Sequence, residues 1–294
     1  MNTRRLALAA LGGASAALAA AAAAPVGTLN AVAALRTRRV LQGQPYGAAA
    51  RQRFDLFAPD DRRTPAPLVV FFYGGAWTRG RREDYRFVGE ALAEQGLFAM
   101  LADYRLHPEV RYPDFVHDAA HAAAHALAQV AAWGADAGRV LVAGHSAGAY
   151  LAAMLALDDR WLRAAGTDRR RLAGWAGLAG PYDFLPIRDP EVQAAFGHPQ
   201  VPPDSQPLWH AKASGHPCLL VAPQDAARVD PRRNSAALAR ALRAAGTPVT
   251  ERYHARVSHE TLVGAFAWPL RALAPVLDEL TQFARGLRAV PAAA

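Results

Sequence analysis

Gly144-His145-Ser146-Ala147-Gly148 is set between the apolar run Val140-Leu141-Val142-Ala143 and the helix-like run Tyr150-Leu151-Ala152-Ala153-Met154-Leu155-Ala156-Leu157. A Gly-x-Ser-x-Gly pattern is weak on its own, but a strand before it and a helix behind it give its glycines a mechanical reason. Where strand and helix pass closely there is no room for side chains at 144 and 148, and the sharp turn lifts the serine hydroxyl above the sheet. The stretch therefore predicts a nucleophilic Ser146 at the carboxyl end of a buried strand.

A serine hydroxyl is a poor nucleophile at neutral pH, so it needs a histidine to take its proton and a carboxylate to fix that histidine's tautomer. One known chain order for such a triad is Ser, then Asp or Glu, then His, each in a loop after a strand. Pro217-Cys218-Leu219-Leu220-Val221-Ala222 reads as a strand, and Asp225 is the first acid beyond it. Asp230 competes from the same loop. Val249-Thr250-Glu251-Arg252-Tyr253-His254 reads as an edge strand, followed by Ser258-His259-Glu260 leading into a helix. His259 sits where the general base belongs, with His254 as its nearest rival.

A tetrahedral intermediate also needs donors aimed at its negative charge, and a glycine turn supplies backbone N–H groups. Tyr73-Gly74-Gly75-Ala76-Trp77 follows Pro67-Leu68-Val69-Val70-Phe71-Phe72, a run apolar enough for a parallel strand buried on both faces. The donors predicted are the N–H groups of Gly75 or Ala76 together with Ala147.

These motifs resemble the α/β-hydrolase superfamily, in the esterase and lipase group that includes carboxylesterases, feruloyl-esterase-like and kynurenine-formamidase-like enzymes. The resemblance rests on residues 74–77, Asp103-Tyr104-Arg105-Leu106, residues 144–148 and Gly180-Pro181-Tyr182-Asp183, and spans roughly residues 40 to 285. It implies an α/β-hydrolase fold with a mostly parallel central sheet flanked by helices and a small lid insertion. By activity it implies a carboxylic ester hydrolase working through an acyl-enzyme, acting on a small-molecule ester without a cofactor. Arylformamidase-like amide hydrolysis, or a non-catalytic relative that binds a ligand, are the alternatives. The chain departs from the group at Tyr73, where a histidine is usual, and at Val221-Ala222, where His-Gly is usual. The second departure shifts the register of the acid and keeps Asp230 open.

Length and composition fit one such domain over residues 26–294, since 294 residues with 52% apolar and 20% charged side chains can bury a sizeable core. Strand-like runs near 68–72, 97–102, 140–143, 173–179, 217–222 and 249–253 alternate with helical stretches, the signature of a parallel sheet covered by helices. An earlier pair is expected around Arg39-Val40-Leu41 and Arg53-Phe54-Asp55-Leu56-Phe57, linked through Tyr46-Gly47.

Residues 1–25 differ in kind. Met1-Asn2-Thr3-Arg4-Arg5 is a basic start, and Leu6 to Ala24 is an uncharged alanine-dominated stretch before Pro25. The pattern predicts a cleaved export signal, compatible with twin-arginine export, and hence a periplasmic or secreted protein. An uncleaved anchor, the only basis here for membrane contact, and a plain extension remain open. The single cysteine, Cys218, cannot form an internal disulfide and reads as an inert buried thiol.

The formal charge of +8 comes almost entirely from arginines, scattered or in short runs such as Arg169-Arg170-Arg171, and no nucleic-acid module is present. His117, His121 and His125 recur every four residues along a helix expected from Val116 to Trp133. Such spacing can bind zinc, but Gln129 continues the stripe and the Glu of a zincin motif is missing, so a solvent-facing stripe without metal is predicted. The segment Pro181 to His210, rich in proline and aromatics, is expected to wall an apolar pocket with Trp77, Tyr182 and Trp209, or else to pack those rings into the core.

Overall fold

Each central strand feeds two cores at once, which is why its sequence is apolar without alternation. Leu68, Val70 and Phe72 of β3 (Leu68–Phe72) belong to one buried cluster, while Val69 and Phe71 belong to the other. The same split separates Val140 and Val142 from Leu141 and Ala143 in β5 (Val140–His145). The computed structural model describes residues 29–30, 38–212 and 215–291.

The other strands are β1 (Arg39–Pro45), β2 (Arg53–Phe57), β4 (Phe98–Ala102), β6 (Gly174–Leu178), β7 (Cys218–Pro223) and β8 (Val249–His254). They form one sheet in the order β1-β2-β4-β3-β5-β6-β7-β8. The pairs β1–β2 and β2–β4 are antiparallel, and every other pair is parallel. β1 runs on to Pro45 through irregular register, so the early strand pair is longer than the apolar pattern predicts. β8 closes the far edge, as the sequence suggests.

The helices are α1 (Arg86–Glu94), α2 (Asp114–Gln129), α3 (Ala147–Leu157), α4 (Asp159–Ala164), α5 (Pro190–Ala195), α6 (Ala237–Ala244), α7 (His259–Gly264) and α8 (Val276–Gly286). Side chains of α1, α7 and α8 fill one cluster, and those of α2, α3, α4 and α6 fill the other, so helices cover both faces. This mostly parallel, helix-flanked sheet is the α/β-hydrolase architecture that the motifs imply. α3 is buried along its whole length, and its alanines let it lie close against the strands. α2 begins at Asp114 and stops at Gln129, short of Trp133, and the chain then turns through Gly134 at φ 82.

A buried ion cluster ties the antiparallel corner to the parallel strands. The Arg82 guanidinium contacts Asp55 of β2 at 2.9 Å and also pairs with Asp103, just past β4, and with Glu83. A guanidinium is tolerated there because its donors are answered by carboxylates. Nearby, Asp118 of α2 accepts from Arg105 and from Gln52.

Parallel strands deliver their carboxyl ends to one rim. The loops after β3, β5, β7 and β8 carry residues 73–77, 146, 224–230 and 255–259, which brings the motifs of the sequence to a single edge. The predicted export segment lies outside the described residues. Among the described residues, no helix is long and apolar enough to cross a membrane.

Candidate active site

Ser146 occupies a one-residue corner between β5 and α3, with φ 54 and ψ −120. A non-glycine residue there is strained and persists only when its surroundings fix it. The Ser146 N–H donates to the Leu178 carbonyl at 2.8 Å, and the Ser146 carbonyl accepts from Tyr150 at 3.1 Å. The flanking glycines are steric requirements. A Cβ on Gly144 would fall 2.2 Å from the Gly148 carbonyl carbon, and one on Gly148 would fall 2.0 Å from the Phe72 oxygen. Ser146 itself remains partly exposed.

His259 is the first residue of α7, which opens with a reciprocal capping box between Ser258 and Thr261. Its Nε2 lies 2.9 Å from Ser146 Oγ. The ring is only 6% exposed. Burial first, and the Arg228 cation second, push its pKa down to about 4, so it is neutral at pH 7. The Nδ1 atom is buried and has no hydrogen-bond partner among the described residues. The rival His254 is engaged elsewhere, its Nε2 3.0 Å from Glu279 of α8.

The structure does not bring either candidate acid to that Nδ1. Asp225 is exposed in the loop after β7, and Asp230, also exposed, accepts the Arg232 N–H at 2.8 Å. Between them Arg228 reaches Glu260 at 3.5 Å. The loop thus presents a cation, rather than a carboxylate, toward the imidazole.

The glycine turn lies directly beside the serine. A Cβ on Gly74 would be 3.0 Å from both Ser146 Cβ and His145 Nδ1. Gly75, Ala76 and Trp77 have φ of 138, 52 and 60, so the main chain folds back on itself. The Gly75 carbonyl is spent inside the turn, accepting from Thr78 at 3.0 Å and Arg79 at 3.1 Å. The N–H groups of Gly75, Ala76 and Ala147 make no hydrogen bond among the described residues. Tyr73, in place of the usual histidine, is buried and stacked on Tyr104 at 4.6 Å, with its hydroxyl accepting from Arg51 at 2.7 Å.

Of the aromatics assigned to a pocket or to the core, two go to the core. Trp77 is 3% exposed and stacks on Phe115 and Phe184 at 5.9 and 5.8 Å. Tyr182 is fully buried beside Trp175. Trp209 is 51% exposed, with the Lys212 ammonium 4.7 Å from its ring centre. A notch lined by Asp60 to Arg63 lies in the turn between β2 and β3, at the rim opposite Ser146.

The histidine stripe of α2 is corrected. His117 packs edge-on against Trp161 at 5.2 Å, and His125 contacts Phe54 and Trp133 at 5.2 and 6.1 Å, leaving only His121 exposed. α2 packs against α4, β3 and β4, so His117 and His125 meet Trp161 and Phe54 from other elements. No group of metal-ligating side chains occurs among the described residues. Cys218 is buried and free, its thiol pushed up to about 12 by burial.

Sequence reasoning passed over His145 and Tyr85. Tyr85 Oη lies 3.0 Å from His145 Nδ1 and accepts the Gly74 N–H at 3.2 Å, while His145 Nε2 lies 2.9 Å from the His259 carbonyl. The available signal was a histidine inside the serine motif, next to the nucleophile.

The BD-FAE family model matches residues 54–191. The chain is 34% identical to a probable isoprenylcysteine alpha-carbonyl methylesterase ICME of Oryza sativa subsp. japonica, over 52% of this chain and 38% of that one. It is 32% identical to Esterase LipC of Mycobacterium tuberculosis, over 75% of this chain and 60% of that one. The chain thus spans less than two thirds of each of these relatives' lengths. The butyrate-bound esterase Est2 of Thermogutta terrifontis superposes with a TM-score of 0.67 at 22% identity, over 82% of this chain and 92% of that one, a likeness of fold.

Proposed function

We propose that the chain, which has the α/β-hydrolase fold and is similar to esterases of that group, is a serine hydrolase cleaving carboxylic esters through an acyl-enzyme. The observation that carries this reading is the 2.9 Å approach of His259 Nε2 to Ser146 Oγ.

The proposed steps use that pair. Ser146 Oγ attacks the ester carbonyl as its proton passes to His259 Nε2, which is free to accept because the ring is neutral. Negative charge gathers on the carbonyl oxygen, met by N–H groups of Gly75 or Ala76 and of Ala147 at the start of α3. The alcohol leaves with the proton from Nε2, and water reverses the sequence to release the acid. Asp225 is the carboxylate proposed to orient His259 at Nδ1, with Asp230 as its competitor, and the role requires the 224–230 segment to move inward. The substrate is a small ester, and Trp209 at the outer face of the 181–210 segment is proposed to touch its acyl group. Residues 1–25 support an exported site of action, which cell fractionation of the full chain tests.

A second reading draws on the unpaired Nδ1, since a relative that only binds ligands would need no acid there. Turnover of a short p-nitrophenyl ester and labelling by a fluorophosphonate, compared between the unaltered chain and Ser146→Ala, separate the two. Turnover and labelling that vanish together in Ser146→Ala support the hydrolase. An unaltered chain that does neither favours the binder.

A further inference from the structure

A largely buried chain of hydrogen bonds crosses the site beside Ser146, and its direction is fixed by chemistry. The His259 carbonyl can only accept, so His145 Nε2, 2.9 Å away, must carry the proton. Burial pushes the His145 pKa down to about 3, so the ring is neutral and its Nδ1 is a bare acceptor. The Tyr85 hydroxyl, 3.0 Å from Nδ1, therefore donates to it. Burial raises the Tyr85 pKa to about 12, which keeps that proton in place. The hydroxyl oxygen in turn accepts the Gly74 N–H at 3.2 Å. Every donor and acceptor along the line is used, and reversing one link would orphan another.

The ends of this line are the two parts of the site that must be spaced correctly around a tetrahedral carbon. Gly74 opens the turn that carries the proposed oxyanion donors, and His259 carries the proposed base. Tyr85 is itself firmly mounted. Asn30 Nδ2 donates to the carbonyls of Glu83 and Asp84 at 2.8 and 3.1 Å, and Asn30 Oδ1 accepts the Phe87 N–H at 3.1 Å. The Arg82 N–H donates to Asp103 at 2.7 Å, rooting the same turn in the ion cluster. Phe71, Tyr73 and Phe87 each lie 6.0 Å from the Tyr85 ring centre.

The geometry points to Tyr85 and His145 as positioning residues that set the span between the oxyanion turn and the general base. Neither is assigned a contact with the substrate. The role rests on Ser146 and His259 being the reacting pair, and catalysis is sensitive to such spacing because misplaced groups lose their advantage steeply.

The test begins with ester turnover by the unaltered chain and its loss in Ser146→Ala; failure at that step removes the hydrolase reading and is distinguishable from a failure of the positioning role, which the next variants read. Tyr85→Phe then deletes one oxygen. kcat is expected to fall about tenfold, the effect of one net hydrogen bond, with KM within about twofold. His145→Gln keeps a donor toward the His259 carbonyl but offers no ring acceptor to Tyr85, so it breaks the same link. The double variant Tyr85→Phe/His145→Gln should be no slower than the slower single variant. A kcat within about twofold of the unaltered chain in Tyr85→Phe, a loss confined to KM, or losses that multiply in the double variant would each overturn the proposal. Should the double variant not fold, the split between kcat and KM in Tyr85→Phe decides alone.

Discussion

His259 meets Ser146 through Nε2 at 2.9 Å, while the opposite ring nitrogen has no hydrogen-bond partner among the described residues. The imidazole is held by burial and by the capping box of its helix rather than by a carboxylate. That separation between a formed nucleophile–base pair and an unformed base–acid pair makes the proposed mechanism open to a direct pH experiment.

With Nδ1 unpaired, the acid limb of kcat/KM should fall near the depressed His259 value of about 4. A carboxylate brought to Nδ1 favours the imidazolium and moves the limb up, toward the ordinary histidine value of about 6.5. Under the proposed triad the unaltered chain shows the higher limb, and Asp225→Asn returns it toward 4 while lowering kcat by on the order of 10⁴-fold. If Asp230→Asn does this instead, the acid is Asp230. The measurement is a pH–rate profile of the three chains.

Gly148→Ala should unfold the elbow. The added Cβ would stand 2.0 Å from the Phe72 oxygen, so α3 must lift from β3. Overpacking of this kind costs about 1–3 kcal/mol, and backbone contact puts this case at the upper end. A urea midpoint lowered accordingly, with loss of fluorophosphonate labelling, is the expected result.

Stability should decline on acidification below about pH 6.5. Burial is the leading cause depressing His145 to about 3 and His216 to about 4. Between those values and 6.5 the unfolded chain binds protons that the folded chain refuses, so stability is whole above the unfolded pKa and lost as pH falls. The slope is about 1.4 kcal/mol per pH unit for each such group. Urea unfolding at a series of pH values checks it, and His216→Gln, away from the serine, should make the slope shallower by one group's share.

The two tryptophans should behave oppositely on replacement by alanine. Trp77→Ala empties a packed aromatic cluster and should cost about 3–5 kcal/mol. Trp209→Ala removes an exposed ring, with stability changing by no more than about 0.5 kcal/mol. Its effect is expected instead on acyl-chain preference across a series of p-nitrophenyl esters, and an unchanged profile would remove Trp209 from the substrate site.

Local pattern was enough to locate the strands and the elbow, because strand, corner and helix follow one another in consecutive residues, whereas the pairing of Ser146 with His259, 113 positions apart, was expected from the chain order of the triad. The Tyr85–His145 link spans 60 positions and has no periodic trace. Asp225 sits in an exposed loop, so nearness to a strand end did not fix its side chain against the His259 ring. For His117 and His125 the helical spacing was read correctly, yet the partners Trp161 and Phe54 come from other elements, and only the assembled layers turn a polar stripe into an aromatic seam. Trp77 and Trp209 carry the same side chain in turn-rich segments, where no period distinguishes inside from outside.

The cations braced behind the glycine turn are all guanidinium groups: Arg51 on Tyr73, Arg82 between Asp55 and Asp103, and Arg105 on Asp118. A guanidinium keeps its proton beyond about pH 12, where an ammonium would have surrendered it. The bracing therefore survives hydroxide, and washing or assaying this protein in strongly basic buffers should leave the turn's framework charged and intact.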